Sequence, residues 1–450
     1  MQTTFRGLLK GLDDRNLLRH VSREVIAKHQ LVAIMRKVQK TSNEPLMFDN
    51  VAGSPAPVAT NIFCRRTIIS DALDIETRSL VPSLVAKEGQ VKPLDIVSDA
   101  PVHEIVKTSG FDIARDIPQV VHCERDGGPY ISAGVCIARH PDTGEYNASW
   151  NRIQIVGGDH VRVRMMPPQH LGQYQEVAEK RGERMPIAVA IGAPPALMLS
   201  AASKIPIDAD ELQVAGAWQN QPLRVTQAKT VPLLVPADAE FIIEGEVMPG
   251  EREIEGPFGE FTDAYAEAAP NHVMRITAIT RRKDAIYHII LAGGPEDSVL
   301  LGVPLQTEVY KRVSSFARIR DIATPGHIFG CVVSIEKTSD EQAKAVMLAA
   351  MAAHPWMKIV VVVDADVDPH DTSEVLWAIH TRHTPETGVM MIPGLGSFQR
   401  ADVRAAHRGK LAIDATAPMA MRDVFKRRQF PGMDEIRLDD FLDPLLARID

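Results

Sequence analysis

The stretch Glu255-Gly256-Pro257-Phe258-Gly259-Glu260 places two carboxylates at the ends of a segment that no ordinary helix can contain. Pro257 fixes its own φ and has no N–H to donate, and the two glycines permit a tight backbone turn. Such a turn can direct both acids into one cavity, where paired carboxylates acquire separate pKa values and one can hold a proton near neutral pH. The stretch therefore predicts a general acid, although a surface loop with two solvated glutamates has the same spacing.

This stretch lies in a β-rich region that we predict for residues 116–310. Turn residues separate short runs of β-forming residues, and helical patterns interrupt them at residues 172–180 and 194–203. The runs are residues 120–123, 130–139, 152–156, 160–165, 187–191, 223–226, 241–246, 273–281 and 285–291. This succession is typical of a barrel or sandwich in which loops build a ligand cavity.

Both flanking regions have the mixed pattern of an α/β protein. Residues 1–115 are predicted as a small α/β domain, with amphipathic helices within residues 4–41 and 68–87. Residues 311–450 are predicted as a C-terminal α/β oligomerisation domain, with helices at 341–353, 373–381 and 436–449 and a buried strand at 358–363. Residues 394–416 look loop-like and basic. The predicted fold class is thus α/β (α+β) in three domains.

An acidic cluster follows the strand at residues 358–363. Asp364, Asp366, Asp368, His370 and Asp371 could form a Mg²⁺ site, but acids at this position also cap the next helix and favour its dipole. We favour the capping interpretation for this cluster.

Composition excludes several classes of protein. The chain has 450 residues, 45% of them hydrophobic, a formal net charge of -8 and four separated cysteines without a CxxC pair. It lacks the basic footprint of a nucleic-acid-binding protein, and no apolar run is long enough to span a membrane. The N-terminus carries charges through its apolar positions, unlike a signal peptide. We therefore expect a soluble, cytoplasmic protein with no nucleic-acid partner.

Three polar residues of the central region could form a metal site. An Asn147 oxygen, the His170 imidazole and the Glu211 carboxylate make a mixed O/N ligand set that suits Mn²⁺ or Mg²⁺. Taken singly, the same residues are a turn asparagine, a loop histidine and a helix-start charge. Arg152 could be a strand-face charge and Lys410 a solvated lysine. Spacing alone does not join these residues into one site.

The order of seven short motifs resembles the UbiD family of prenylated-flavin decarboxylases. The motifs are Asn147-Ala-Ser-Trp-Asn-Arg152 with Ile153-Gln-Ile-Val-Gly157, Gln169-His170, Ile191-Gly-Ala193, Glu211 before Ala215-Gly216, Ala239-Glu-Phe-Ile-Ile-Glu-Gly245, Glu255-Gly-Pro-Phe-Gly-Glu260, and Gly409-Lys410 before Asp414-Ala-Thr416. The resemblance implies a central split β-barrel that binds prenylated FMN, between N- and C-terminal α/β parts. It also implies a homodimer or homohexamer and a separate prenyl-flavin synthase that supplies the cofactor.

The resemblance assigns roles by matching position. Asn147, His170 and Glu211 would hold a divalent metal, typically Mn²⁺, on the flavin phosphate, with K⁺ bound near residues 200–203. The cofactor contacts would be Ser149, Trp150, Arg152, Gln169, His170 and, at the phosphate, Lys410. The catalytic residues would be Arg152, Glu255 and Glu260.

The implied reaction is the reversible, non-oxidative decarboxylation of an aromatic, heteroaromatic or α,β-unsaturated carboxylic acid. Arg152 would orient the substrate carboxylate, Glu260 would deliver the proton that replaces CO₂, and Glu255 would hold Arg152 in place. Two alternatives stay open, a carboxylase running in the reverse direction and a flavin-binding subunit without decarboxylase activity.

The substrate class rests on the segment from Leu300 to Gln306, which is similar to a pocket-lining stretch of the family. Members that act on a furan dicarboxylate carry a basic residue just after the proline, where this chain has Leu305. An apolar wall cannot pair a second carboxylate, so this comparison predicts a monocarboxylic acid. In the alternative, Leu305 belongs to the core and another arginine, such as Arg318, lines the pocket. Asn151, which stands where an apolar or aromatic residue is common, leaves the substrate open.

Overall fold

The computed structural model describes residues 2–396, 408–428 and 430–441. The N-terminal elements are α1 (Phe5–Asp13), β1 (Arg19–Val21), α2 (Gln30–Thr41), β2 (Leu46–Phe48), β3 (Val58–Thr60), α3 (Arg66–Leu73), α4 (Leu80–Glu88), β4 (Asp95–Ile96), β5 (Ile105–Lys107) and α5 (Ile113–Asp116). Helix α1 illustrates how the local sequence specifies a helix in this region. The Thr4 side chain caps α1 by accepting the Gly7 N–H, and the apolar residues of α1 lie buried on one face.

The central elements form a strongly curled half-barrel. They are β6 (Tyr130–Ile131), β7 (Val135–Arg139), β8 (Tyr146–Trp150), β9 (Ile153–Ile155), β10 (His160–Val163), α6 (His170–Lys180), β11 (Met185–Ile191), α7 (Pro195–Ser200), α8 (Glu211–Trp218), β12 (Arg224–Gln227), β13 (Leu234–Pro236), β14 (Phe241–Glu255), β15 (Phe258–Gly259), β16 (Tyr265–Ala266), β17 (Ala269–Arg281) and β18 (Tyr287–Ile289). The main sheet has the order β6-β9-β10-β17-β14-β11-β7-β8, and β5 also pairs with β17.

The long antiparallel pair β14–β17 positions the acidic stretch. Register shifts interrupt this pair after Glu244 and again after Val247, and such irregularities bend and twist a sheet. Residues of β14 are buried through most of its first half, whereas its second half alternates between exposed and half-buried positions until Glu255, which is buried. Glu255 is therefore the last residue of β14, and the stretch that begins with it turns back into the cavity of the half-barrel.

The C-terminal elements form a second α/β layer. They are α9 (Pro295–Val313), β19 (Arg318–Ala323), β20 (Gly330–Glu336), α10 (Glu341–Ala353), β21 (Ile359–Asp364), α11 (Thr372–Arg382), α12 (Pro385–Gly388), β22 (Val389–Pro393) and β23 (Gly409–Ala415). The sheet order is β19-β20-β21-β23-β22, with β20, β21 and β23 parallel. Helix α9 packs against α4 and α10 and so ties the N-terminal and C-terminal layers together. Across the described ranges, no helix has both the length and the apolar character needed to cross a membrane.

Several local predictions differ from the structure. The loop predicted for residues 394–416 is wrong at its end, because Gly409–Ala415 forms β23 in the interior of the sheet. The helix predicted for residues 68–87 is two helices, since Asp74 adopts a left-handed conformation that ends α3. Residues 285–291 contain β18, but it pairs with β3 in a four-stranded sheet with β1 and β2. The helix predicted for residues 436–449 lies mostly outside the described residues.

The capping interpretation of the acidic cluster is confirmed. Asp371 accepts the backbone N–H groups of Ser373 and Glu374 at the start of α11. Asp364 and Asp366 both bind Arg382, so these carboxylates have a cation as partner. The cluster thus stabilises the strand end and the helix that follows it.

Candidate active site

Two connected cavities lie between the half-barrel and the C-terminal layer. The first, which we call the arginine cavity, measures about 210 Å³, and its charged lining residues are Arg152, Arg164, Glu260 and Asp297. The second, the histidine cavity, measures about 150 Å³, and its polar lining includes Asn147, His170, Lys204, Glu211 and His354. Both contain Trp150, Gln169, Leu301 and Trp356, so these side chains form the junction of one elongated cleft.

The acidic stretch and Arg152 meet in the arginine cavity. Arg152 lies between β8 and β9, and its Nε and Nη2 donate to the two carboxylate oxygens of Glu255 at 3.0 and 2.8 Å. Its Nη1 donates to Glu260 Oε1 in a very short contact. The Arg152 guanidinium also lies 5.2 Å from the centre of the Phe258 ring. One arginine therefore joins both carboxylates, and the alternative of two solvated surface glutamates is wrong.

Glu255 is held rigidly in the interior. Its side chain is 0% exposed and, besides Arg152, it accepts from Tyr130 Oη at 2.8 Å and Asn271 Nδ2 at 2.9 Å. Burial, with the neighbouring Glu255 charge, raises the pKa of Tyr130, so this hydroxyl remains a donor. A carboxylate with this many donors is fixed in position and keeps the Arg152 guanidinium in one orientation.

Glu260 is in a different environment. Its side chain is 24% exposed, and apart from Arg152 its contact with a charged group is Arg164 Nη1 at 3.5 Å. Water can therefore reach the Glu260 carboxylate, whereas the Glu255 carboxylate is closed off from solvent. The two acids of the stretch thus differ in access to water and in the number of donors, which is the condition for different roles.

The backbone of the stretch explains why these residue types occur there. Gly256 has φ +99, a conformation that L side chains rarely adopt, and an added Cβ would meet the Ala268 backbone at 3.2 Å. The Asp126 side chain accepts the Gly259 N–H at 2.9 Å, and the Gly127 N–H donates to the Pro257 carbonyl at 2.8 Å. The segment before β6 therefore holds the turn in place.

The histidine cavity brings together the three residues predicted as metal ligands. Asn147 lies on β8, and Glu211 and His170 are the first residues of α8 and α6. Asn147 Nδ2 donates to Glu211 Oε1 at 3.0 Å, and His170 Nδ1 lies 3.6 Å from the same oxygen. The Ala148 N–H donates to the other oxygen of Glu211 at 3.1 Å. Packing of α8 against β8 creates this arrangement, which spacing along the chain does not reveal.

This donor set fits a divalent cation. Burial raises the pKa of Glu211, so its charge is costly unless a cation accompanies it. Among the described residues there is no cluster of three His, Cys, Asp or Glu side chains, so a metal here would need the Asn147 amide as its third ligand. Rotation of that amide would point Oδ1 at the ion, because the oxygen and nitrogen of an amide are assigned from hydrogen bonds. Hard oxygen donors with one imidazole suit Mn²⁺ or Mg²⁺.

The junction of the two cavities fits a flavin. Trp150 Nε1 is buried, and no acceptor in the described part of the chain lies within hydrogen-bond distance of it. Ser149 Oγ donates to Asn147 Oδ1 at 3.1 Å and receives a bond from Asn151 Nδ2 at 3.0 Å. Gln169 lies in the lining of both cavities. An orphaned indole N–H beside these polar groups would pair with a heteroatom of a planar ligand.

Lys410 lies apart from the cavity lining. Its buried Nζ donates to the carbonyls of Met351 and His354 at 2.6 and 3.1 Å, and burial lowers its pKa. Lys204 instead lines the histidine cavity, with its Nζ 5.8 Å from the centre of the Trp356 ring. A phosphate in this cavity would thus find Lys204 at the wall and Lys410 behind His354.

The segment predicted to lie near K⁺ forms one end of the histidine cavity. Residues 201–203 line the cavity just after α7, and Ser203 Oγ donates to the Ser200 carbonyl at 2.6 Å. Carbonyl oxygens at the end of a short helix are suitable ligands for a monovalent cation. The K⁺ site stays a prediction.

Sequence reasoning missed two charged residues of the arginine cavity. Arg164 follows β10 in the basic run Arg162-Val-Arg164, and Asp297 lies in the first turn of α9. The Gly293 N–H donates to Asp297 Oδ2 at 2.8 Å. Burial raises the pKa of Asp297 to about 7, with a smaller contribution from the nearby Glu260 and Glu296 charges. Neither Arg164 nor Asp297 lies in a recognised motif, so only their positions in the cavity identify them as candidate functional residues.

Family models match most of the chain. They are the N-terminal domain of 3-octaprenyl-4-hydroxybenzoate carboxy-lyase at residues 9–88, its Rift-related domain at 95–295 and its C-terminal domain at 298–415. The chain therefore belongs to the UbiD family. Its class of enzyme is accordingly carboxy-lyase.

Individual relatives agree with this placement. The anhydromevalonate phosphate decarboxylase of Methanothermobacter thermautotrophicus is 36% identical over 416 residues, which are 90% of this chain and 96% of that protein. The structure of the UbiD-class enzyme HmfF from Pelotomaculum thermopropionicum in complex with FMN has a TM-score of 0.93 at 33% identity and covers 97% of this chain and 100% of that one. An evolved dimeric form of HmfF with prFMN has a TM-score of 0.90 at 33% identity over 98% and 100% of the two chains.

The metal assignment can be tested by replacing Glu211 with glutamine. This change removes the one formal charge among the three ligands and keeps the side-chain size, so we expect the bound divalent metal to fall from near one equivalent to a small fraction. Loss of a residue that only orients a metal ligand weakens metal binding about 10–100-fold. Loss of a ligand itself should weaken metal binding by a larger factor. Elemental analysis of the purified variant measures the bound metal, and flavin absorbance measures any loss of flavin that accompanies it. Glu176→Gln, at a half-exposed position on α6, is the matched control, and full metal content in Glu211→Gln would exclude this site.

Proposed function

We propose that this chain catalyses the reversible, non-oxidative decarboxylation of an aromatic, heteroaromatic or α,β-unsaturated carboxylic acid with prenylated FMN. One observation carries the proposal. A buried carboxylate, Glu255, holds Arg152 through two hydrogen bonds, while a partly exposed one, Glu260, shares the same guanidinium inside a cavity. Flavin binding alone does not need such an acid pair, so the alternative of a flavin-binding subunit without activity is less favoured.

The cofactor would occupy the cleft formed by the two cavities. Asn147, His170 and Glu211 would hold the divalent metal on its phosphate, with Lys204 and Lys410 as nearby cations. Ser149, Trp150 and Gln169 would contact the ring system at the junction. When bound, the prenylated flavin would accept the electron density that remains on the substrate after CO₂ leaves.

The residues of the arginine cavity would orient the substrate carboxylate and transfer the proton. Arg152 would orient the substrate carboxylate through the second N–H groups of Nη1 and Nη2, because its other N–H groups donate to Glu260 and Glu255. After the bond to CO₂ breaks, protonated Glu260 would deliver its proton to the carbon and become a carboxylate paired with Arg152. The partly exposed Glu260 would then regain a proton from water. Carboxylation uses the same steps in reverse.

Cofactor supply provides the test of this function. Protein produced without a prenyl-flavin synthase should be inactive even when FMN is bound, because plain FMN lacks the modified ring that accepts the electrons. The same protein supplied with prenylated FMN should release CO₂ from a suitable acid. Full activity with unmodified FMN would contradict the proposal, and so would the absence of CO₂ release from every acid class named above once the prenylated cofactor is bound.

We also propose that the chain forms a homodimer or homohexamer through its C-terminal domain. Val424, Phe430 and Phe441 are 75%, 65% and 73% exposed in the single chain. Apolar side chains exposed this close together along a segment are typical of an interaction surface. Light scattering of the purified protein distinguishes a monomer, which would contradict this proposal, from either assembly.

A further inference from the structure

The arginine cavity contains a second arginine, Arg164, whose side chain has one hydrogen-bond partner among the described residues. Strands β9 and β10 pair antiparallel, with Ile153 opposite Val163, and the Arg164 N–H donates to the Arg152 carbonyl at 3.2 Å. Residues 152 and 164 are therefore neighbours across the end of this hairpin, and both side chains enter the same cavity. Burial and the adjacent Arg152 charge lower the pKa of Arg164, and the nearby Glu260 and Glu255 carboxylates offset these effects only in part.

The two arginines have different partners. Arg152 donates from three nitrogens to two carboxylates, whereas the one hydrogen-bonded side chain of Arg164 among the described residues is Glu260, at 3.5 Å. When Glu260 carries the proton that the proposed reaction needs, Arg152 still has Glu255, but Arg164 has lost its carboxylate partner. A partly desolvated guanidinium without a counter-ion is unfavourable, so the substrate complex should supply one.

We propose that Arg164 binds a phosphate group of the substrate, and that this chain therefore decarboxylates a phosphorylated acid. This inference rests on the decarboxylase function proposed above and specifies its substrate class. The reacting carboxylate would lie at Arg152 and the phosphate at Arg164.

The chemistry of Arg164 suits this role. A guanidinium forms parallel hydrogen bonds with phosphate oxygens and stays charged at all relevant pH values. The Arg164 side chain is 34% exposed, so a phosphate bound there can keep part of its hydration. Asp297, with its pKa raised to about 7, is largely uncharged in mildly acidic solution and then adds no repulsion to a second anionic group. The relative with 36% identity is named for a phosphorylated substrate, anhydromevalonate phosphate.

This substrate class keeps the single carboxylate expected from Leu305 but adds a second anionic group, the phosphate. Leu305 lines the histidine cavity and also belongs to the core of the C-terminal layer, and Arg318 is 71% exposed and paired with Glu336 on the surface. The sequence argument expected no cation for a second anionic group at Leu305, whereas the structure places Arg164, which follows a different strand, in the arginine cavity.

Anhydromevalonate phosphate and the same acid without its phosphate form the test pair. With enzyme carrying prenylated FMN, the wild type should prefer the phosphorylated acid. Arg164→Gln should raise KM for that acid about 10- to 100-fold, the range for losing a hydrogen-bonded charge, while kcat changes much less. The loss of kcat/KM in Arg164→Gln should be about 10-fold or more larger with the phosphorylated acid than with the unphosphorylated one. Arg164→Lys, which keeps the charge but loses the planar fork, should give an intermediate KM. Arg162→Gln is the matched control, because Arg162 lies two residues away and pairs with Glu253.

The outcomes separate this proposal from its alternatives. Equal losses with both acids would place Arg164 at the reacting carboxylate and overturn the proposal, as would a wild-type preference for the unphosphorylated acid. Loss of bound flavin in Arg164→Gln would assign the residue to the cofactor and would also overturn it. If the wild type turns over neither acid, calorimetric measurement of the binding of the two acids still tests whether Arg164 binds the phosphate. Tighter binding of the phosphorylated acid by wild type, but not by Arg164→Gln, supports the role of Arg164, and equal binding refutes it.

Discussion

Glu260→Gln is expected to lower kcat by about 10²–10⁴-fold, the usual contribution of a general acid, while the protein still folds and binds its cofactor. A carboxamide has nearly the same shape as a carboxylic acid but cannot deliver a proton to carbon. Its oxygen can still accept from Arg152 Nη1, so the orientation of the guanidinium, which Glu255 fixes, should survive. Single-turnover measurements with flavin-loaded protein would separate the loss of proton transfer from weaker substrate binding.

Glu253→Gln provides the matched control for this experiment. Glu253 belongs to the same region of the chain and also binds an arginine, Arg162 at 2.8 Å, but its side chain lies outside the arginine cavity. Exposed ion pairs of this kind contribute about 0–1 kcal/mol, so activity should stay near the wild-type level. Wild-type rates in Glu260→Gln would refute the role of Glu260, and equal losses in both variants would indicate an unspecific effect on folding.

Arg152→Lys is expected to lower kcat/KM by about 10²-fold or more, because small displacements of a positioning group have effects of that size. Lysine keeps the positive charge but cannot bind both oxygens of Glu255 and also Glu260. The fully buried Glu255 would retain Tyr130 and Asn271 and lose its bidentate partner. We therefore also expect a stability loss of about 1–3 kcal/mol, measured by denaturant unfolding.

The same substitution at a surface arginine controls for the change of residue type. Arg162→Lys alters a pair with Glu253 in which both side chains are about a quarter to a third exposed, and it should be nearly neutral in both assays. If Arg152→Lys retains wild-type kcat/KM, a single positive charge is sufficient and the planar geometry of the guanidinium is not needed for the reaction.

Local sequence patterns correctly predicted those elements whose own residues have a strong preference for helix or strand. The helix predicted for residues 341–353 matches α10 (Glu341–Ala353), because an alanine-rich segment has high helix propensity. The strand predicted for residues 358–363 matches β21 (Ile359–Asp364), whose apolar run suits a strand buried on both faces. For the site, the ordered motifs were sufficient to nominate Asn147, Arg152, Glu211 and the acidic stretch.

Other features depend on contacts between segments that are far apart in the chain, and local patterns do not encode these. Strand β23 was missed because parallel pairing with β21 overrides its weak local preference. Arg164 reaches Glu260 because β9 and β10 pair in one register, and a one-residue shift would point its side chain to the other face. Asp297 acquires its raised pKa only when α9 is buried against the cavity, since desolvation requires the surrounding protein. The sequence thus determined which residues are present and in what order, and tertiary packing decided which of them share a cavity and in what charge state.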